Sequence, residues 1–413
     1  MSKLALLGGE PLSEKKMDWS DFWPPIKEST GDKLKELYLS RKWTAFDSLE
    51  GEFAQAFAKY HGAKYGIFMV NGTVTLQCAL GACGIGPGDE VIVPALTWYA
   101  TAMAAHYVGA TPVFVDIDSE TLCIDPEKIV QAITEKTKAI IPVHLYGSMA
   151  DMDNIMAIAK QHGLRVIEDC AHMHGGVWDG KGIGSIGDVG SFSFQHSKTM
   201  ASGEGGICIT DDPELADRIF RMKHIGYGPG QLQGKALDGP EEGLLCYPFR
   251  ATAFQALILN DQLKDLGSHL QRYQASIQFL EDRLHQTTKI RFQKAGRKAD
   301  NQGYFGWLMI FDDPSYADIP IGTIQEAISA EGLPVLPTWG PVYDFILFNL
   351  SKESYRIDQA GSPVTESISK HSLFLLHAYL GLGQDSIEKI ADIIEKIMNN
   401  CDALREYARL SAT

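Results

Sequence analysis

Short apolar runs alternate with helical periodicities through the first two thirds of the chain. An amphipathic helix over residues 49–60 leads into an apolar strand at 65–70. A helix opening at Gly72-Thr73, a strand at 90–94, a helix at 98–108 and a strand at 112–115 follow. Asp125-Pro126-Glu127 is a helix start with proline in the first helical position, and residues 138–143 form a β-branched strand. Residues 151–162 read as a helix, and 165–169, 189–194 and 206–210 as three more strands. Strands joined by helices predict an α/β domain whose mostly parallel sheet is covered on both faces.

Beyond about residue 265 the pattern changes. Long helices at 252–266 and 272–284, a strand at 304–311 and helices at 322–331 and 385–399 predict a smaller C-terminal α+β unit. The expected division is an N-terminal arm (1–40), a large domain (41–268) and a small domain (269–413). Loops concentrate on the flanks of the 304–311 strand and at 341–363, and long loops in compact domains are often functional. There is no internal repeat and no low-complexity segment.

The chain has 413 residues, 45% hydrophobic and 22% charged, which is ordinary for a folded enzyme and excludes a disordered chain. A net charge of −15 and no local basic patch argue against nucleic acid as a partner. No apolar run is long enough to span a bilayer, and residues 1–10 lack a secretory h-region with its cleavage site, so a cytoplasmic protein is expected. The seven cysteines are scattered without CxxC spacing and indicate neither a disulfide framework nor a metal site.

The chemistry starts from Lys198, between an apolar strand and the run Ser202-Gly203-Glu204-Gly205-Gly206. An ammonium desolvated there finds a partner or loses its proton, and an unprotonated amine can form a Schiff base with an aldehyde cofactor such as pyridoxal phosphate. In an open α/β sheet, ligands sit beyond the carboxyl ends of the strands. Gly72 and Thr73, opening a helix after a strand, offer free amides and a positive dipole end to a phosphate. Trp98 can stack on a flat ring, and Asp169, ending a strand, needs a partner that a protonated pyridine nitrogen would supply. His172 can hydrogen-bond a phenolic oxygen, and Ser193 is in reach of the phosphate.

With these residues in place, the chain resembles the DegT-type pyridoxal-phosphate-dependent sugar aminotransferases of fold type I, from about Trp43 to the C-terminus. The motifs are Gly-Asp-Glu-Val-Ile-Val-Pro-Ala-Leu-Thr-Trp (88–98), Pro-Val-His-Leu-Tyr-Gly-Ser-Met-Ala-Asp-Met-Asp (142–153), Val-Ile-Glu-Asp-Cys-Ala-His-Met-His-Gly (166–175) and Gly-Asp-Val-Gly-Ser-Phe-Ser-Phe-Gln-His-Ser-Lys (187–198). The resemblance implies that Gly72, Thr73 and Ser193 bind the phosphate and that Trp98 stacks on the ring. Asp169 would pair with the ring nitrogen, His172 would approach the phenol, and Lys198 would hold the Schiff base. It further implies a homodimer with shared active sites and ping-pong transfer of an amino group from glutamine or glutamate to a ketone.

Gln195 and the run Thr199-Met200-Ala201-Ser202-Gly203-Glu204-Gly205-Gly206 are most similar to two branches, one aminating inososes in aminocyclitol antibiotic pathways and one making 3-amino-5-hydroxybenzoate. A nucleotide-linked keto-sugar and a non-catalytic, pyridoxal-phosphate-binding regulatory scaffold stay open as alternatives. The chain also departs from the family. Pro248 stands where relatives carry an Asn that reaches the neighbouring subunit's phosphate, and Ala253 replaces a Glu, with Arg250 between them. For the substrate, Tyr99, His196, Tyr227 and His377 are the candidate contacts, and Trp19, Trp23, Trp43, Trp307, Trp339 and Tyr343 are further aromatic neighbours. His144 is read as structural.

Overall fold

The computed structural model describes residues 3–44, 48–231 and 234–411. After helices α1 (Glu28–Ser40) and α2 (Ser48–Tyr60), the α/β alternation runs β1 (Tyr65–Met69), α3 (Gly72–Ala82), β2 (Glu90–Pro94), α4 (Ala100–Tyr107) and β3 (Thr111–Val115). It continues with α5 (Pro126–Ala132), β4 (Thr137–Ile140), α6 (Met152–His162) and β5 (Arg165–Asp169). A small ribbon, β6 (Val177–Trp178) and β7 (Lys181–Gly182), precedes β8 (Val189–Ser193) and β9 (Gly206–Thr210). Later strands are β10 (Arg291–Phe292), β11 (Ala299–Asn301), β12 (Gly306–Ile310), β13 (Leu336–Pro337), β14 (Arg356–Ile357) and β15 (Ser372–Leu376).

The large sheet has the order β1-β9-β8-β5-β4-β2-β3-β14. Its pairings are parallel from β8 to β14, and β9 alone runs against its neighbours. Strand alternation explains why these strands read as continuous apolar runs. Ile92, Val113 and Phe192 enter one core, while Val91, Val93, Phe114 and Val189 enter a second on the opposite face. The smaller sheet, β10-β12-β15-β13, is antiparallel, as an α+β unit requires.

Several boundaries differ from expectation. The 138–143 strand is shorter as a regular element, ending at Ile140 before Pro142, which has no N–H, although Ile141 and Pro142 still bond to the neighbouring strands, and helix Leu266–Thr287 runs unbroken through the expected boundary at 268. The 341–363 region contributes β14 to the edge of the large sheet, where Arg356 Nη2 donates to Glu90 Oε2 at 3.1 Å and to the Ala132 carbonyl at 2.6 Å. Helix α1, within the expected arm, packs Leu37 against Ala253 and Leu257. The methyl of Ala253 is fully buried there, and a glutamate would lose its hydration under α1.

One buried ion pair ties α2 and β1 to the helix Pro213–Lys223. Lys223 Nζ donates to Glu50 Oε1 and, at 2.9 Å, to the Phe68 carbonyl, with both side chains almost completely buried. Lys223→Met leaves the Glu50 carboxylate buried without its cation and should destabilise the fold by about 3–5 kcal/mol. The double variant with Glu50→Leu should recover much of the loss in thermal unfolding; equal melting of single and double variants would contradict this account.

Candidate active site

The carboxyl ends of β1, β2, β4, β5 and β8 open on one cavity of about 480 Å³. Gly72, Thr73, Trp98, Asp169, His172, Ser193 and Lys198 all line it, together with Thr97, Thr101, Gln195, Glu204, Phe305 and Trp339. The sequence-selected cofactor contacts are therefore brought together.

Helix α3 supplies the anion end. Asn71 caps it, its Oδ1 accepting from the Val74 amide at 3.0 Å, and this leaves the Gly72 and Thr73 amides as the first helical N–H groups without a carbonyl one turn earlier. Glycine is required at both contacts with the neighbouring strands. A Cβ on Gly72 would lie 2.7 Å from Ser193 Cβ, and one on Gly206 would lie 2.5 Å from the Asn71 carbonyl.

At the other end, Asp169 is buried at the end of β5. Thr101 Oγ1 donates to Oδ2 at 2.8 Å and the Ala171 amide to Oδ1 at 3.2 Å, leaving carboxylate lone pairs for a further donor. Burial pushes this carboxyl above its usual range, against the Thr101 and Ala171 donors and the Lys198 charge. The adjacent Glu168 points to the opposite face. There burial is outweighed by His144 and the Gly187 and Gly184 amides, which hold the carboxyl below its ordinary value. His144 Nδ1 accepts from the Ala150 amide at 3.2 Å, so Nε2 carries the proton toward Glu168, a structural tether for β5.

Lys198 is half-buried on the turn after β8, its Nζ 4.4 Å from the centre of the Phe305 ring. Burial pulls its amine down to about 8, with Asp169 pulling the other way. Phe305 in turn stacks face to face on His172, 3.8 Å between centroids and 6° between planes. His172 Nδ1 accepts the Tyr146 amide at 3.3 Å and burial holds the ring neutral, so its Nε2–H is the donor available to a ligand. Trp98 is partly exposed and packs against Trp339, 5.4 Å away.

The four candidate substrate contacts do not line this cavity. Tyr99 packs into the second core, and His196 tilts against Trp19 at 5.3 Å. Tyr227 accepts the Gly234 amide at 2.7 Å in its own loop, and buried His377 bonds the Ser197 carbonyl at 2.9 Å. Of the further aromatic neighbours, Trp339 alone is among the lining residues. Trp43 stacks on Tyr38, Trp307 on Phe292 and Tyr343 on Tyr355, while Trp19 and Trp23 pack beside His196 and His377. Thr101 and Phe305 are among the lining residues that escape the sequence reading. Thr101 has a readable signal, since Thr97 and Thr101 stand four apart at a helix start and bond each other at 2.9 Å. Phe305 has none, because the large-domain chain says nothing about which distant loop covers Lys198.

The fold and cavity define an α/β transferase built around a partly buried amine and a buried carboxylate. The chain belongs to the DegT/DnrJ/EryC1/StrS aminotransferase family, which it matches over residues 24–395. It is 35% identical to L-glutamine:2-deoxy-scyllo-inosose aminotransferase of Streptoalloteichus tenebrarius, over 97% of this chain and 99% of that one. It is 34% identical to L-glutamine:scyllo-inosose aminotransferase of Streptomyces griseus, over 99% and 100%. Among solved structures, 3-amino-5-hydroxybenzoic acid synthase superposes with a TM-score of 0.82 at 28% identity, covering 92% of this chain and 98% of that chain. The fold is that of the fold type I aminotransferases.

Because the Asp169 charge raises the Lys198 amine, Asp169→Asn should move it further down. Labelling of Lys198 by an amine reagent in the cofactor-free protein, followed against pH, should have its midpoint near 8 in the wild type and below that in the variant. An upward or absent shift would break the coupling described here.

Proposed function

We propose that this aminotransferase takes pyridoxal phosphate and moves an amino group from L-glutamine to the ketone of an uncharged cyclitol, an inosose or deoxyinosose. The observation that carries the reading is one cavity lined by an amide-rich helix end, a buried carboxylate and an amine of lowered basicity. The residues present fit that cofactor. The Gly72–Ser193 approach leaves backbone amides open to a phosphate, and the incompletely satisfied Asp169 carboxylate suits a pyridinium N–H. Trp98 suits a ring face, and the His172 Nε2–H suits a phenolate oxygen.

Bound there, pyridoxal phosphate supplies a protonated aromatic ring that takes up the electrons left when an α-proton is removed. Asp169 would keep the ring nitrogen protonated through a charge-assisted hydrogen bond. Lys198 would hold the group through Nζ and would carry the proton, a task that suits an amine whose basicity burial lowers to about 8. Phe305, whose ring centre lies 4.4 Å from Nζ, excludes water from that side of the amine.

Lining charge favours a neutral ketone over a nucleotide-linked one. Among the described lining residues Lys198 is the single lysine or arginine, and Glu204 adds a carboxylate, its acidity weakened by burial. A polyol can donate hydroxyls to Glu204, whereas a pyrophosphate would meet a like charge with no guanidinium to offset it. The relatives' use of L-glutamine and inososes points the same way. The reading includes a cytoplasmic location and a homodimer with shared active sites. It also places the protein in aminocyclitol antibiotic biosynthesis.

The half-reactions test it. Protein loaded with pyridoxal phosphate should show a visible absorbance band that L-glutamine bleaches, and protein loaded with pyridoxamine phosphate should aminate keto-inositols in preference to nucleotide-linked keto-sugars. Lys198→Ala should lower kcat by roughly 10²–10⁴-fold. An unbleached band would favour a binding scaffold, and preference for the nucleotide-linked ketone would overturn the substrate assignment.

A further inference from the structure

The turn that carries Lys198 is held from outside the large sheet. The His196 carbonyl accepts the indole N–H of Trp23 at 3.0 Å, and the Ser197 carbonyl accepts from His377 Nε2 at 2.9 Å. On the other side of the lysine, Thr199 Oγ1 donates to the Tyr304 carbonyl at 2.6 Å, one residue before the ring on which Nζ rests. Two consecutive backbone carbonyls before Lys198 and the side chain after it are therefore fixed by distant parts of the chain.

The two donors form a unit. Trp23 meets His377 edge to face, 4.5 Å between centroids, and both are buried. Since a carbonyl can only accept, His377 carries its proton on Nε2, and its Nδ1 faces the Tyr273 hydroxyl at 3.4 Å. The charged and titratable groups around this ring include Lys198, His269, Tyr273, His172 and His174; burial holds His377 down near 4, so the donor stays neutral across the physiological range. A neutral donor fixes the turn without adding charge beside the amine.

Trp23 ends a segment that is itself anchored on the small unit. Fully buried Glu331 accepts the amides of Ala5 at 2.9 Å and Leu12 at 3.0 Å and pairs with Lys396 at 2.8 Å. Further along, the Tyr379 hydroxyl donates to the Met17 carbonyl at 3.0 Å. The segment thus runs from a buried anchor to the back of the lysine turn.

We propose that Trp23 and His377 are positioning residues for Lys198, holding the carbonyls of His196 and Ser197 so that Nζ stays against Phe305 and within the cavity. This role rests on the assignment of Lys198 above and names the groups that keep its side chain in place while its backbone stays still. Neither residue touches the reacting atoms.

The test compares Trp23→Phe, which keeps a ring and loses the donor, His377→Leu, which loses the donor, and His377→Gln, which keeps an N–H. In cofactor-free protein, Lys198 labelling by trinitrobenzenesulfonate is followed against pH by peptide mapping. Trp23→Phe and His377→Leu should move the midpoint up from about 8 toward that of a hydrated lysine, because a loosened turn returns water to the amine. In loaded enzyme the same two should lose about tenfold in kcat with KM for both substrates nearly unchanged, while His377→Gln stays near wild type. An unchanged labelling midpoint and kcat in Trp23→Phe, even with a lower melting temperature, would overturn the proposal. Labelling needs no cofactor, so failure of the wild type to bind pyridoxal phosphate would count against the functional reading and leave this comparison decisive.

Discussion

A carboxylate and an amine share one poorly hydrated cavity, and the rest of the site is arranged around that pair. Burial weakens the acidity of Asp169 and the basicity of Lys198, while their mutual attraction opposes both shifts. Neither group is fully satisfied by protein. Asp169 has two donors, and Lys198 rests on an aromatic face. A ligand carrying a protonated nitrogen at one end and an aldehyde toward the other meets both needs at once. Strand alternation makes the arrangement robust, since Glu168 on the opposite face is locked by His144 and three backbone amides and keeps β5 in register.

Most of the large unit was legible because most of its parallel strands are rich in apolar residues and several connecting helices carry a start signal. Asp125-Pro126 and Asn71-Gly72 cap α5 and α3 as their residue types demand. The same logic applies to Asp212-Pro213, yet the helix Pro213–Lys223 is not among the expected elements, because its mean polarity hides the apolar stripe. Strand β15 is likewise absent from the expectation. It lies among helices and is fully buried, and a short apolar run does not by itself distinguish strand from helix.

The cofactor end of the cavity was readable because its residues follow strands whose order the α/β rule supplies. The substrate end was not. His377 has the chemistry of a substrate contact and instead donates to a backbone carbonyl, a choice set by where β15 delivers it. Phe305 is an unremarkable aromatic in sequence and becomes the floor beneath the reactive amine through long-range packing. Residues that act through the backbone of others leave little periodic trace. Trp23 is the clearest case, an apolar residue of the N-terminal segment whose single polar atom reaches the turn before Lys198.

The most direct measurement is borohydride reduction of the protein equilibrated with pyridoxal phosphate, followed by peptide mapping. A pyridoxyl adduct on Lys198 alone, lost in the Asp169→Asn variant at low cofactor concentration, is the predicted result. An adduct spread over surface lysines, or confined to one outside the cavity, would contradict the central claim.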